Sequence, residues 1–227
     1  MGKSLKNAVS PDEICDEYGC DTLRLYEMYL GPLEQSKPWN TRDIVGVNRF
    51  LKRVWRNFVD DSGTVRIVDE SANSESKKIL HHTIKRVTDD MDRLAFNTAI
   101  AALIEMNSFM MKQATIAREV AEPFLILLSP LAPHISEELW NLLGNESMIS
   151  QQTWPAYDES LLVEDQVVIP VQINGKVRAS ISTGADSSKE EILSLAKADE
   201  NVLRYTTGKS IVKEIYVPGK IVNLVVK

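Results

Sequence analysis

The spacing of apolar residues changes once along this chain, near residue 166, and that change dictates a fold in two parts. Ahead of it the period is helical. From Thr41, the residues Ile44, Val47, Phe50, Leu51, Val54, Trp55 and Phe58 recur three and four apart, with Arg49, Lys52, Arg53 and Arg56 on the other faces. Residues 60–76 are polar and contain Gly63, the signature of a loop. Further helical segments are expected over about 75–93, 96–113, 115–128 and 135–143, the last ending at Gly144. Nearer the start, Ser10-Pro11-Asp12-Glu13 reads as a helix entrance, with Ser as N-cap, Pro in the first helical position and Glu at the third. That short helix should stop at Gly19, and Asp21 is placed to cap the next one, reaching Gly31. Gly31-Pro32 and Lys37-Pro38 then break the chain into a turn-rich connector. Four to five helices joined by short loops make an antiparallel bundle.

After Gln166 the period falls to two. Val167 to Ile173 is rich in β-branched residues, Asn174-Gly175 is the strongest short hairpin signal, and Lys176 to Ser182 alternates apolar with polar. Residues 186–191 supply helix caps, residues 200–206 fit a second short helix, and Lys213–Val217, Pro218-Gly219 and Ile221–Val226 form a second hairpin. The expected fold class is mainly α: an antiparallel helical bundle, then a small α+β domain of ββααββ order. The expected division is 1–40 (loop and connector), 41–144 (bundle), 145–164 (linker) and 165–227 (tail domain).

Length and composition suit an ordinary globular protein: 227 residues, 44% apolar and 26% charged. The net charge of −6 argues against a generic polyanion binder. It is unevenly spread, however, because from Asp165 onward nine Lys/Arg face seven Asp/Glu. Any contact with a phosphate backbone is therefore expected in the tail. Two cysteines, Cys15 and Cys20, fit a reducing cytoplasm and make a poor zinc site, which wants four ligands; they read as half-buried thiols flanking a helix boundary. No metal is expected. The first residues lack the basic-then-apolar order of a signal peptide, and the most apolar run, Pro123–Leu131, is too short to span a bilayer. A soluble cytoplasmic monomer is expected.

Gly-Lys-Ser occurs twice. A phosphate-binding P-loop needs a second glycine five residues earlier, but only Met1 stands before Gly2 in this sequence and Leu203 stands where the glycine before Gly208 should be. The residues after the first copy are more informative. The run Lys3-Ser4-Leu5-Lys6-Asn7-Ala8-Val9-Ser10-Pro11-Asp12-Glu13 resembles the KMSKS loop of class I aminoacyl-tRNA synthetases and the helix behind it, with Met1, Gly2, Lys3 and Ser4 at the last four motif positions and Gly2 in place of serine. The stretch Tyr18-Gly19-Cys20-Asp21-Thr22-Leu23-Arg24-Leu25-Tyr26 is similar to the YGADTLRLY of leucyl-tRNA synthetases, with Cys20 for alanine. Gly31-Pro32 and Lys37-Pro38-Trp39-Asn40 look like their linker between core and bundle. Residues 129–140, SPLAPHISEELW, resemble the APHIAEELW block of the class Ia anticodon-binding bundle. Residues 171–178 and 216–223 resemble the small C-terminal domain of the bacterial leucyl enzymes. Valyl enzymes usually end instead in a coiled coil, and isoleucyl enzymes often in a cysteine-rich zinc module.

That resemblance implies a C-terminal part of a bacterial-type leucyl-tRNA synthetase. It implies that Lys3 is the motif's second lysine, the one that neutralises charge on the triphosphate of ATP (with Mg2+) during adenylation. Met1, Gly2, Lys3 and Ser4 would then form the ATP loop. It further implies tRNA(Leu) as partner, gripped at its outer corner by the tail and oriented by the bundle through shape and backbone contacts, together with the catalytic and editing domains of the same protein. No His-x-Gly-His signature is present, so the chain alone is expected to be inactive. Within the tail, Lys176 and Arg178 sit two apart on one strand and so project from one face, and Lys209, Lys213 and Lys220 could join them as phosphate contacts. His134 reads as a packed or capping histidine, Trp39, Trp55 and Trp140 as packing residues, and Glu137-Glu138 as a solvated helix face. Competing readings are a non-catalytic tRNA-binding accessory module, the equivalent part of a valyl or isoleucyl enzyme, and a helical scaffold without a nucleic-acid role.

Overall fold

The computed structural model describes residues 9–162, 167–184 and 187–227. The chain divides into two compact units, Met1–Leu162 and Val163–Lys227, each with its own apolar core.

The first unit is helical. Helices α1 (Pro11–Tyr18) and α2 (Cys20–Tyr29) are followed by α3 (Ile44–Phe58), α4 (Ser74–Asp92), α5 (Phe96–Met110), α6 (Arg118–Leu128) and α7 (Pro133–Leu142). The apolar stripe of α3 is buried as its spacing requires: Ile44, Val47, Phe50, Leu51, Val54 and Phe58 are all in the core. Phe58 stacks on Phe124 of α6 at 6.4 Å between centroids. The buried amide of Asn57 is satisfied by Asn107 of α5, donating to its side-chain oxygen at 2.7 Å and to its carbonyl at 3.2 Å. Helices α1 and α2, expected as part of a connector, contribute Ile14, Leu25 and Tyr26 to this same core.

Three local expectations differ from what forms. The loop over 60–76 contains strand β1 (Ile67–Val68), which pairs in parallel with β2 (Ile116–Ala117), so the helix expected from Thr115 begins only at Arg118. Asp21 does not cap its own helix, where Gly19 takes the N-cap place. Its carboxylate, 8% exposed, reaches α7 instead. There it accepts the N–H groups of His134 (3.3 Å) and Ile135 (2.8 Å) and meets His134 Nδ1 at 2.7 Å. Finally, the described part of the expected linker, residues 145–162, packs on the helices. Ile149 is buried, Trp154 Nε1 donates to Thr88 of α4 at 2.8 Å, and the Asp158 N–H donates to His81 at 2.8 Å. Isolated apolar anchors of this kind carry no period.

The second unit is the small α+β domain. Strands β3 (Val167–Ile173) and β4 (Lys176–Thr183) form one hairpin, α8 (Lys189–Ala198) and α9 (Glu200–Thr206) follow, and β5 (Ile211–Val217) and β6 (Ile221–Val226) form the second hairpin. The sheet order is β4-β3-β6-β5, with β3 and β6 parallel at the centre. One face buries Ile169, Val171, Ala179, Ile181, Val222 and Leu224 together with Ile192, Ala196 and Val202 of the two helices. Helix α8 begins with a full capping box between Ser188 and Glu191.

Candidate nucleic-acid interface

In the second unit the cations are set by strand register. Asn174 and Gly175 both take positive φ, 50° and 80°, as a tight two-residue hairpin turn demands. The turn is pinned to β6: Asn174 Oδ1 accepts the Val226 N–H at 2.9 Å, and its Nδ2 donates to the Val226 carbonyl at 3.2 Å. Lys176 leaves this turn opposite Ile173, whose side chain is buried on the helix-bearing face. Next comes a bulge. Val171 pairs with Ala179 but Gln172 pairs with Val177, which leaves Arg178 as the extra residue. Arg178 lies over the ring of Tyr205 in α9, 4.3 Å from its centroid, and donates to the Tyr205 hydroxyl at 3.2 Å. Tyr205 is 39% exposed. Helix α9 is fixed at its start by Asp199, which accepts the N–H groups of Asn201 (2.9 Å) and Val202 (3.1 Å). Lys176, opposite buried Ile173, and Arg178, over Tyr205 of α9, both lie on the helix-bearing side, and the bulge between them replaces simple two-residue alternation.

The other three expected cations are dispersed. Lys209 precedes β5, where Ser210 and Lys227 exchange backbone hydrogen bonds of 3.1 and 3.0 Å. It stands at the same end of the sheet as Lys176, across the width of the two central strands. Lys213 pairs with Val225, so its side chain lies on the face away from the helices, because Leu224 and Val226 point toward them. Lys220 lies in the β5–β6 turn at the far end of the sheet. A single five-residue cluster does not form. Two cations that sequence reasoning did not single out, Arg204 in the last turn of α9 and Lys227, stand at the Lys209 end. All seven are exposed. Among the described residues none of the seven has a carboxylate within 4 Å, whereas Lys197 is taken by Glu214 at 2.6 Å.

The helical unit carries a second cationic face. Arg49, Lys52, Arg53 and Arg56 are exposed along α3, opposite its buried stripe, and are without a carboxylate partner among the described residues. Trp55, expected as a packing residue, is 37% exposed between them, because it lies at the edge of the stripe. Lys52 and Trp55 border an open groove of about 390 Å³ with Tyr18, Asn48, Asp21 and His134. Trp39 and Trp140 do pack: Trp39 meets Tyr26 edge-on at 4.9 Å, and Trp140 is buried with its Nε1 donating to the Ser147 carbonyl at 2.8 Å. Exposed guanidinium and ammonium groups beside an exposed indole or phenol can hold a phosphate backbone and stack a base.

Among the described residues no group of three or more His, Cys, Asp or Glu could hold a metal ion, and no helix is long and apolar enough to cross a membrane. The ATP-loop residues Met1, Gly2, Lys3 and Ser4 lie outside the described residues.

Residues 77–193 match the family described as the anticodon-binding domain of tRNA ligase. The chain belongs to that family. This anticodon-binding-domain protein is 49% identical over 230 residues to a leucine–tRNA ligase of Corynebacterium efficiens, a match covering 100% of this chain and 24% of that protein. It is also 49% identical over 228 residues to a leucine–tRNA ligase of Mycobacterium sp. strain KMS, again covering all of this chain and 24% of the relative. The chain thus spans about a quarter of the length of the relatives it matches. Among solved structures it is similar to a LeuRS of Agrobacterium radiobacter K84 in a ternary complex with tRNA and LeuAMS. That similarity has a TM-score of 0.79 and 31% identity, and covers 100% of this chain and 31% of the other.

Proposed function

We propose that this chain is the C-terminal, tRNA-docking portion of a leucine–tRNA ligase that works as a monomer in the cytoplasm, and that tRNA(Leu) is its partner. The parent enzyme would activate leucine with ATP and Mg2+ and transfer it to tRNA(Leu). In the proposed division, 1–40 carry the ATP loop and its connector, 41–144 the bundle, and 165–227 the tRNA-contacting tail; 145–164 join them. Lys3, with Met1, Gly2 and Ser4 beside it, would place an ammonium against the triphosphate, where it offsets charge developing as pyrophosphate leaves. The missing N-terminal catalytic and editing domains would supply everything else the chemistry needs, so the chain alone would not make leucyl-adenylate.

The observation that supports this reading is the set of exposed cations that have no carboxylate partner among the described residues, above all Lys176 with Arg178 over the Tyr205 ring. A guanidinium already held over an aromatic ring offers donors to phosphate at reduced entropic cost. Lys209, Lys213 and Lys220 would add to the tail's attraction as more distant contacts, and Arg204 and Lys227 with them.

The test is binding of a tRNA(Leu) transcript by fluorescence anisotropy across a salt series. Affinity should fall steeply with salt, and Lys176→Ala with Arg178→Ala should reduce the slope of log K against log salt by about two, one for each cation taken from the phosphate backbone. A Lys197→Ala control, which removes a cation already paired with Glu214, should leave the slope unchanged. No binding at low salt, or a double variant with the parent slope, refutes the assignment of the tail. Pyrophosphate exchange with leucine and ATP on this chain alone would refute the claim that it lacks the rest of the active site.

A further inference from the structure

Tyr205 stands where the tail's own packing does not need it. The tail has two tyrosines, and they are used differently. Tyr216 packs against the core between sheet and helices, and its hydroxyl accepts the Gly219 N–H at 3.4 Å. Tyr205 lies outside that core on α9, 39% exposed, and among the described residues its hydroxyl meets only Arg178. A ring left in water forgoes much of what its burial would contribute to the fold. Arg178 occupies the bulge of β4, an edge strand, where it has no cross-strand partner. Bulges re-aim side chains, and here the guanidinium is aimed at the ring, 4.3 Å from its centroid. Arg204, the residue before Tyr205, is exposed as well, and neither arginine has a carboxylate within 4 Å among the described residues.

We propose that Tyr205 is a stacking platform for one unpaired nucleobase and that Arg178 is its placeholder. In the free chain the guanidinium covers the ring. In the complex it moves to the phosphate of the same nucleotide, and the base takes its place on the ring. This rests on the reading of the tail as a tRNA-docking surface. A cation over an exposed ring is held weakly, whereas a guanidinium on a phosphate oxygen makes a charge-assisted hydrogen bond about twice as strong as a neutral one. The exchange therefore runs toward phosphate once RNA arrives. Every base has a face to offer the vacated ring, so the platform tolerates any sequence.

The pair has a preference that cations alone lack. A helical stem presents its phosphates but keeps its bases stacked inside, and Arg178 by itself would serve there. Arg178 and Tyr205 together fit a nucleotide whose base has left the stack, as in a loop or at an unpaired end.

The experiment uses the full 227-residue chain and a tRNA(Leu) transcript, with affinity read by fluorescence anisotropy. Tyr205→Leu keeps an apolar side chain without a ring. It should weaken binding about tenfold and leave the slope of log K against log salt unchanged, because no cation is removed. Tyr205→Phe should stay within about twofold of the parent, since the ring remains. The decisive measurement is Tyr205→Leu made in an Arg178→Ala background. Loss of a platform still costs about tenfold there, whereas loss of a ring that only holds the guanidinium costs nothing further. Tyr205→Trp covers the case in which leucine disturbs α9. The tail has no tryptophan of its own, so the transcript should quench the added indole beyond the parent's signal, with binding at least as tight. Parent-like affinity of Tyr205→Leu, no cost of that change in the Arg178→Ala background, or no added quenching overturns the platform alone. A parent chain that fails to bind the transcript overturns the reading of the tail together with it.

Discussion

Asp21→Ala removes a clasp between residues 113 positions apart. The first turn of α7 is short of partners by its own sequence. Its N-cap residue, Ala132, has no side chain to offer, and Pro133 has no N–H. That leaves the N–H groups of His134 and Ile135, and the Asp21 carboxylate accepts both, at 3.3 and 2.8 Å. Hydrogen bonds to a charged acceptor contribute about 1.5 kcal/mol each at the lower end, so the pair stabilises the helical unit by about 3 kcal/mol. Asp21→Asn keeps one acceptor oxygen and should lose about half of that. At about 3 °C per kcal/mol for a unit of this size, the alanine variant should melt about 9 °C lower and the asparagine variant about 4–5 °C lower. The assay is selective, because Trp39, Trp55, Trp140 and Trp154 all lie in the helical unit and the tail has none. Tryptophan fluorescence during heating or urea titration thus follows that unit alone. A loss below about 0.5 kcal/mol for alanine, or equal losses for alanine and asparagine, refutes the capping argument.

The separate cores lead to a second expectation: Leu224→Ala, at a fully buried position of the central strand, should destabilise the tail by about 2–5 kcal/mol. The tryptophan transition should stay where it was, and amide exchange should show the loss confined to residues after 162; a shifted tryptophan midpoint counts against independent cores. Acid stability gives a third. The Ala72 N–H (2.5 Å) and then Lys77 hold Glu119 below its ordinary 4.5, and side-chain and backbone donors from Ser62 and Thr64 hold Asp60 below 3.8. A depressed carboxylate stabilises the fold above its unfolded value and stops doing so as pH falls through its folded one. Urea midpoints should therefore fall on acidification below about pH 4.5, less steeply in Glu119→Gln; identical profiles for the two proteins contradict the assignment.

The legible parts of this fold are those in which a pattern repeats. Helix α3 could be placed because seven apolar residues mark one stripe, and the β3–β4 hairpin because Asn174-Gly175 admits the positive φ angles that such a turn needs. Strands β1 and β2 were not, since two residues make no period and their partners lie 49 positions apart. Asp21 looked like a local cap because local capping is all a linear reading can test; its true partners are set by how α2 meets α7. Residues 145–162 looked like a linker because Ile149, Trp154 and Tyr157 are single anchors separated by polar residues. The candidate interface was legible to the same degree. The two-residue spacing of Lys176 and Arg178 suggested a shared face, but their placement is set by a bulge, the scatter of Lys209, Lys213 and Lys220 by sheet order, and the Tyr205 platform by how α9 packs.

The parallel pairing of β3 with β6 makes the tail a structure closed by its last strand. The middle of the sheet exists only once residues 221–226 have slotted between two hairpin halves that cannot otherwise touch. A ribosome that stalls, or a protease that clips, anywhere after Pro218 would release two bare strand edges in place of one sheet. Loss of that strand would thus leave the inner edges of β3 and β5 with unpaired backbone groups, open to pairing with another chain.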